Sequence, residues 1–339
     1  MDRTAATGRV AWLRRGVGRR LAAPELAARA AEIGALCEAE RALRTEVDAR
    51  RDVEEALRAD IDALRAELAD LRGAVGPHPP GHFYSAIPDP LDAARVGARP
   101  DDPRPELPGI DLDVAGMIAA AEIWVGRPPA RALDDPRWQG GNGFFDELDA
   151  LALEGFLVDR DPARVVEAGC GWSTARMLDT FQRWPDLRTH VVAIDPYPER
   201  LLDLQRPGDE QRVELLRRRV QDVERDLLMV GPGDLLFIDS SHVAKAGSDV
   251  NLLLLEVVPR LPAGALVHVH DVPWAFEYPA DWFAAGRHWS EAYLLRAMLA
   301  HNPRYRVVWS SAWVSASLAA ASPVPRTGAG SLWFEVTGA

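Results

Sequence analysis

The chain of 339 residues is long enough for about two domains, or for one larger domain with appendages. Its formal net charge of −12 and pI near 5.2 argue against a nucleic-acid-binding protein, which would present a basic face. The two cysteines, Cys37 and Cys170, are too few for a disulfide framework, so we expect a reducing, cytoplasmic setting. No apolar run approaches the roughly 20 residues of a membrane span, and no signal-peptide pattern is present.

The first two segments of the chain are a basic tail and a long helical pattern. Residues 1–23 hold a cluster of arginines after Trp12, which is typical of a solvated tail; contact with an acidic surface or a membrane is the alternative. Residues 24–75 carry apolar side chains at alternating intervals of three and four, the seam of a coiled coil, at Ile33, Leu36, Leu43, Val47, Leu57, Ile61, Leu64, Leu68 and Leu71. Charged residues interrupt this seam at Glu40, Arg50 and Glu54. We expect an imperfect coiled coil that joins copies of the chain into a homo-oligomer, with a solvated helix folded onto the body as the alternative.

Residues 76–158 are rich in proline at first and helical later. The stretch GPHPPGHFYSAIPDP cannot continue a helix. VAGMIAAAEIWV, from Val114, predicts one helix, and NGFFDELDALALEGFLV predicts another with Asn142 as its N-cap. We expect a small helical cap segment for the domain that follows.

Residues 159–339 alternate between strand and helix patterns. The predicted strands are ARVVEAG, HVVAID, RVELLRRRV, DLLFID, ALVHVHD, YRVVWSS and SLWFEVT. Helical patterns between them predict crossover connections, and therefore an α/β, Rossmann-like fold with a parallel, doubly wound, seven-stranded sheet. Such sheets bind ligands beyond the carboxyl ends of their strands, so the residues that follow each strand are candidate site residues.

Residues after the first three strands favour a cofactor that contains adenosine. Gly169 and Gly171 allow a tight turn and a close approach of the backbone to a ligand. Glu167 precedes them and would suit an ammonium better than a pyrophosphate, and the third glycine of the dinucleotide fingerprint is absent. Asp195, after the second strand, is placed to hold ribose hydroxyls. Side chains that could bond an adenine edge, or cap a helix, follow the third strand at Gln221 and Asp222.

The fourth and fifth strands predict a metal site. Asp239 closes the fourth strand, and His270 and Asp271 close the fifth, so their side chains should converge. Oxygen ligands suit Mg²⁺, and an added imidazole shifts the preference toward Mn²⁺, Fe²⁺ or Zn²⁺; a polar cleft without metal is the alternative. His242 is the candidate base, because imidazole titrates near neutral pH. Lys245, the only lysine of the chain, is a second candidate.

A series of motifs resembles class I S-adenosylmethionine-dependent methyltransferases, and more closely a bacterial subgroup found beside polysaccharide and natural-product genes. The motifs are GHFYSAIPD, EAGCGWS, AIDPYPERL, FIDSSHVAKAGSDVN, VHVHDV, FEYPADW and GAGSLW. The resemblance implies a methyl donor bound by Glu167, Gly169 and Gly171, with Asp195 at the ribose. Ser173 stands where the commonest motif has its last glycine, and we include it in the cofactor loop.

Methyltransferases that resemble catechol O-methyltransferase hold a divalent metal after strands four and five, and their lysine base stands where this chain has His242. The resemblance therefore implies metal-assisted O-methylation of a small-molecule or glycan substrate: a glycan, a glycosylated natural product or a phenolic metabolite. The side chains expected to contact it are His82, Tyr84, Glu277, Tyr278 and Trp289. Three alternatives stay open: a metal-free N-methyltransferase, a nicotinamide-dependent oxidoreductase on the same sheet, and a non-catalytic coiled-coil scaffold.

Overall fold

The computed structural model describes residues 23–75, 78–97 and 105–338. The chain divides into two compact units, Met1–Pro79 and Pro80–Ala339. The predicted basic tail, residues 1–23, lies outside the described residues except for Ala23. Within the described ranges, no helix combines the length and the apolar character needed to cross a membrane.

The first unit contains the long helix α1, Ala23–Val75, which confirms the predicted N-terminal helix. Its 53 residues correspond to a length of about 80 Å at 1.5 Å per residue. The apolar side chains of the predicted seam from Ile33 to Leu68 are exposed, from 47% at Ile61 to 64% at Leu36. The charged residues that interrupt the seam form ion pairs one turn away along the same helix: Glu40 with Arg44, Arg50 with Glu46, and Glu54 with Arg58.

The second unit is built on a seven-stranded sheet with the order β3-β2-β1-β4-β5-β7-β6. Its strands are β1 Arg164–Ala168, β2 His190–Ile194, β3 Val213–Leu216, β4 Leu235–Ile238, β5 Leu266–Val269, β6 Tyr305–Ser310 and β7 Leu332–Val336. These strands confirm the predicted seven-stranded Rossmann-like fold. Central strands such as β4, sequence LLFI, are buried along their whole length, because a parallel sheet is covered on both faces.

One feature of the predicted sheet is wrong: it is mixed rather than wholly parallel. Strand β7 runs antiparallel to both of its neighbours, β5 and β6. The chain leaves β6 through the short helix Ser311–Ser317 and enters β7 without a helical crossover back to the other edge of the sheet. Strand β7 therefore starts at the end of the sheet where β6 finishes, and it must run in the opposite direction to β6.

Nine α-helices accompany this sheet among residues 78–97 and 105–338. They are α2 Pro90–Val96, α3 Val114–Gly126, α4 Glu147–Arg160, α5 Trp172–Arg183, α6 Glu199–Leu204, α7 Asp249–Asn251, α8 Ala280–Ala284, α9 Glu291–Leu299 and α10 Ser311–Ser317. Helix α7 continues as a π-helical segment, Leu252–Val257. Helix α4 begins later than predicted, because Oδ1 of Asn142 accepts the backbone N–H groups of Phe144 and Phe145 and closes a turn before the helix.

The predicted cap segment is, from Pro80 onward, part of the same compact unit as the sheet. Phe156 of α4 stacks on Trp333 of β7 with ring centroids 4.4 Å apart. Arg137, only 3% exposed, forms buried ion pairs with Asp179 at 3.0 Å and Asp209 at 2.6 Å. The segment before β1 is thus packed against the sheet and can supply side chains to its carboxyl edge.

Candidate functional site

Glu167, at the end of β1, supports the turn that follows it. Its side chain is 0% exposed, and its two oxygens accept hydrogen bonds from the hydroxyls of Ser173 and Thr174, each at 2.6 Å. Burial raises the pKa of this carboxyl group to about 8. Glu167 was predicted to contact the ammonium of a cofactor; the structure places it beneath the loop, where it holds the first turn of α5.

The two glycines of this turn serve close packing inside the protein. Gly169 has φ +85°, and a Cβ there would lie 1.8 Å from the carbonyl oxygen of Asp239. A Cβ at Gly171 would lie 3.0 Å from Cδ of Arg200. Any larger residue at position 169 would therefore push apart the ends of β1 and β4, the two strands that carry the cofactor loop and the metal-ligand candidate.

Asp195 joins the loops that follow β1 and β2. One of its oxygens accepts the backbone N–H of Cys170 at 3.0 Å, and the other accepts that of Tyr197 at 2.7 Å. A carboxylate has about four acceptor positions, so both oxygens retain capacity for ligand hydroxyls. Asp195, Gly169, Gly171 and Ser173 all line one cleft of about 400 Å³. We refer to this space as the cofactor cleft.

The predicted adenine contacts are not brought to this cleft. Asp222 is exposed and forms an ion pair with Arg219, with contacts of 2.8 and 2.9 Å. Nε2 of Gln221 donates to the carbonyl of Gly247 at 3.2 Å. Neither side chain lines the cofactor cleft.

Asp239, His270 and Asp271 converge at the neighbouring ends of β4 and β5. Each offers one potential ligand atom, and these atoms all lie within 4.8 Å of one another. Burial alone would raise the pKa of Asp239, but the charges of His270 and His242 lower it. Burial alone would lower the pKa of His270, but Asp239 and Asp271 raise it well above its usual range. Two carboxylates and an imidazole at this spacing fit a divalent cation.

His242 lies in the loop after β4 and faces the same cluster. Its Nε2 is 3.4 Å from Oδ1 of Asp239 and 3.4 Å from Oδ2 of Asp271. Its Nδ1 is 2.9 Å from Oε2 of Glu291, and its ring packs on Trp289 with centroids 4.3 Å apart. Burial alone would lower the pKa of His242, but its contacts with Asp239 and Glu291 raise it to about 10.

Asp149 is a buried member of the site that sequence reasoning missed. It lies on α4, is 1% exposed, and accepts the backbone N–H groups of Gly330 at 3.1 Å and Ser331 at 2.9 Å. One of its oxygens is also 3.4 Å from Nε2 of His270. Asp149 and His270 are 121 positions apart in the chain, so no local sequence pattern indicates that they meet.

Lys245 is not brought into the cofactor cleft. It is exposed, and its ordered contacts are made by its backbone: the carbonyl accepts Asn251 Nδ2 at 2.9 Å and the N–H of Ser248 at 3.0 Å. Its side chain lines neither the cleft nor the cavity beside it.

A larger cavity of about 750 Å³ adjoins the cofactor cleft, and we call it the acceptor cavity. The two spaces share lining residues, namely Gly143, Phe144, His270, Asp271 and Trp282. Trp274 and Trp282 supply aromatic surface, and Asp146 and Asp281 supply carboxylates. Among the residues that the structure describes, no lysine or arginine lines this cavity.

The predicted substrate contacts after β5 take different places. Trp289 lines the cofactor cleft. Tyr278 lies in the core at 0% exposure, and its hydroxyl accepts the backbone N–H of Ala292 at 3.0 Å. Glu277 accepts a hydrogen bond from the hydroxyl of Tyr293. Of these predicted contacts, only Trp289 faces either cavity.

His82 and Tyr84 lie in the turn before α2 and line neither cavity. The segment they belong to nevertheless reaches the site. A Cβ at Gly97, after α2, would lie 2.7 Å from the backbone of Ala280 in α8, the helix that carries Trp282. The N-terminal part of this unit thus supports one wall of the acceptor cavity from behind.

Solved structures with similar folds include two methyltransferases. An SAH-bound methyltransferase of Podospora anserina is 17% identical and covers 67% of this chain and 89% of its own, with a TM-score of 0.38. An O-methyltransferase of Bacillus cereus in complex with SAH is 12% identical and covers 67% of this chain and 91% of its own, also with a TM-score of 0.38.

Sequence comparison identifies the family. Residues 166–272 match the model of a methyltransferase domain family. An uncharacterized protein of Archaeoglobus fulgidus is 32% identical over 162 residues, which cover 43% of this chain and 70% of that protein. The chain belongs to one family with this archaeal protein, and its matched domain identifies it as a methyltransferase. The oxidoreductase and scaffold alternatives are thereby set aside.

Proposed function

We propose that this enzyme transfers the methyl group of S-adenosylmethionine to a hydroxyl oxygen of an uncharged, ring-containing acceptor, with a divalent cation held by Asp239, His270 and Asp271. One observation supports this most directly: the cofactor cleft and the acceptor cavity meet at His270 and Asp271, which line both. A donor methyl group and an acceptor hydroxyl would therefore be brought together at the metal-ligand candidates. Such positioning supplies much of the rate acceleration in a transfer between two bound molecules.

On the donor side, the turn after β1 and Asp195 would hold the cofactor. Asp195 has free acceptor capacity toward ribose hydroxyls, while Glu167 keeps the turn in place from below. Arg200 lies over the ring of Phe144, with its guanidinium carbon 3.9 Å from the ring centroid. Phe144 lines both spaces, so this pair stands at the boundary between the donor and acceptor sites.

On the acceptor side, the lining favours neutral rings. Indole faces such as those of Trp274 and Trp282 stack on aromatic rings and on the apolar faces of sugars. The carboxylates of Asp146 and Asp281, without a lysine or arginine in the described lining, disfavour a phosphorylated or carboxylated acceptor. A glycan, a glycosylated natural product or a phenol has the required hydroxyl and fits a cavity of about 750 Å³.

A divalent cation at Asp239, His270 and Asp271 would lower the pKa of an acceptor hydroxyl, so that the oxygen becomes nucleophilic near neutral pH. In the transfer, the oxygen forms a bond to the methyl carbon as the carbon–sulfur bond breaks, and S-adenosylhomocysteine leaves. An amine acceptor would need neither the cation nor these carboxylates, so N-methylation is less well supported by the site.

The proposal is tested by incubating the enzyme with methyl-labelled S-adenosylmethionine and three sets of acceptors: catechols, neutral methyl glycosides and primary amines. We expect label in a hydroxyl acceptor, loss of transfer with EDTA, and recovery with Mn²⁺ or Mg²⁺. Label in amines alone, or transfer that EDTA leaves unchanged, would contradict O-methylation or the cation, respectively.

We also infer that α1 pairs with α1 of a second copy of the chain. Its apolar seam follows the heptad spacing of a coiled coil and is exposed from Ile33 to Leu68. The charged residues within the seam already have ion-pair partners on the same helix, so they need none from the second copy.

A further inference from the structure

Two imidazole nitrogens of the cluster face the same two carboxylate oxygens. Nε2 of His242 lies 3.4 Å from Oδ1 of Asp239 and 3.4 Å from Oδ2 of Asp271. Nδ1 of His270 lies 3.7 and 3.6 Å from these same oxygens. Ligand atoms bound at about 2.0–2.2 Å around one cation lie roughly 3.0–3.5 Å from their neighbours. The distances from Nε2 of His242 to these two oxygens therefore match the spacing of ligand atoms at least as well as the distances from Nδ1 of His270 do.

The other nitrogen of each ring faces a buried carboxylate. Nδ1 of His242 is 2.9 Å from Glu291, and Nε2 of His270 is 3.4 Å from Asp149; both carboxylates are 1% exposed. Partners of this kind orient metal-ligating histidines and select their tautomer. Among the described residues, Glu291 and Asp149 form ion pairs with these imidazoles and with no lysine or arginine.

The surroundings of His242 fit a ligand better than a base. The acceptor cavity is lined by His270 and Asp271 but not by His242, which is 5% exposed. The backbone at His242 has φ +59°, and its carbonyl accepts the N–H groups of Ser290 at 2.9 Å and Glu291 at 3.1 Å. A non-glycine residue keeps such a conformation only where the structure around it holds it, which is common at functional sites.

We propose that His242 is a further ligand, through Nε2, of the cation held by Asp239, His270 and Asp271, and that it is not the proton acceptor. This inference rests on the cation of the proposed function. Two imidazoles with two carboxylates favour Mn²⁺, Fe²⁺ or Zn²⁺ over Mg²⁺, which prefers oxygen ligands. The hydroxyl proton of the acceptor then passes to water in the open cavity, because the cation makes that hydroxyl acidic without a dedicated base.

The test is Mn²⁺ binding to the metal-stripped, full-length protein, measured by calorimetry and by pulsed EPR. The variants are His242→Ala and, as a matched control, His190→Ala, which removes an imidazole at the start of β2, outside both cavities. We expect the Mn²⁺ affinity to fall by about 100-fold or more in His242→Ala and to stay unchanged in the control. The EPR spectrum of the wild type should show coupling to two imidazole nitrogens, and that of His242→Ala coupling to one.

The outcomes separate this inference from the proposed function. Wild-type Mn²⁺ affinity in His242→Ala, or coupling to a single nitrogen in the wild type, would overturn the ligand role of His242 and leave the cation itself in place. Methyl transfer by a wild-type protein that binds no cation would instead remove the cation from the proposed function, and this inference with it. The wild-type spectrum decides the matter even where His242→Ala does not fold.

Discussion

Helix α1 and the carboxyl edge of the sheet both place charged groups among apolar residues, but they satisfy those groups in different ways. In α1, Glu54 pairs with Arg58, one helical turn away, at 2.6 Å in solvent. At the sheet edge, His270 meets Asp149 from another element, and both are buried. The comparison shows that the exposed charges of α1 find partners one helical turn away, whereas the contact of His270 with Asp149 depends on tertiary packing.

The largest effect is expected at the sheet edge. Asp239→Asn removes a charge that the cluster requires, so we expect turnover with Mn²⁺ to fall by about 10³-fold or more, while S-adenosylmethionine still raises the melting temperature. Asp186→Asn is the matched control, because this exposed aspartate precedes β2 at the other end of the sheet. Turnover of Asp239→Asn close to that of Asp186→Asn would remove Asp239 from the site.

A buried carboxylate away from the cluster should show the next largest effect. Burial raises the pKa of Glu167 from its unfolded value of 4.5 to about 8. Its contribution to stability is therefore fully present below pH 4.5 and is lost as the pH rises through 8. Between pH 5 and 8 the wild type should lose about 3 kcal/mol of unfolding free energy relative to Glu167→Gln, which cannot titrate.

This difference is measured by urea unfolding of both proteins at several pH values. Glu214→Gln provides the control, since Glu214 lies on β3 with an exposed side chain. A Glu167→Gln variant whose unfolding free energy follows the wild type across this pH range would show that the carboxyl group is not protonated at neutral pH.

The apolar seam of α1 should govern assembly and leave the site unaffected. We expect the double variant Leu57→Glu and Leu64→Glu to shift the protein from oligomer to monomer in light scattering, because each glutamate would be buried opposite its copy. Arg51→Glu, a charge change at a position outside the seam, should leave the mass unchanged. A wild-type protein that is monomeric at micromolar concentration would contradict pairing through α1.

The smallest effect is expected for a single ion pair of α1. Arg58→Gln removes the contact with Glu54, and both side chains are more than 60% exposed. Pairs of this kind contribute about 0.3–0.5 kcal/mol, so the helix signal in circular dichroism should change only slightly with this substitution. A large loss of helix would show that the pair has a role beyond local stabilisation.

Much of the fold followed from local pattern. The apolar strands and the helix from Val114 lie where periodicity predicts them, because the apolar spacing of a few neighbouring residues indicates which strand or helix face is buried. The antiparallel direction of β7 was not predictable in this way. It depends on the path of the connection after β6, and the spacing of apolar residues does not indicate the direction of a strand.

The residues of the candidate site also differ in how far the sequence could predict their positions. Strand-end position was enough to place Asp195, Asp239 and Asp271 at the carboxyl edge, because parallel strands end together. Position along the chain could not show that Glu167 turns inward, or that Asp222 stays outside the cofactor cleft. Those outcomes depend on which neighbouring groups fill the space around each side chain.

The sequence by itself determined the class of fold, the long N-terminal helix and the strand ends at which the candidate site residues stand, since each of these follows from periodicity or from order along the chain. Only the tertiary structure decided which groups surround each candidate. It brought Asp149 and Glu291 to the histidines, and it set His242 between two carboxylates and away from the acceptor cavity. The reason is that hydrogen bonding and burial at the site act over a few ångströms between residues that are tens to more than a hundred positions apart, a distance that no sequence window spans.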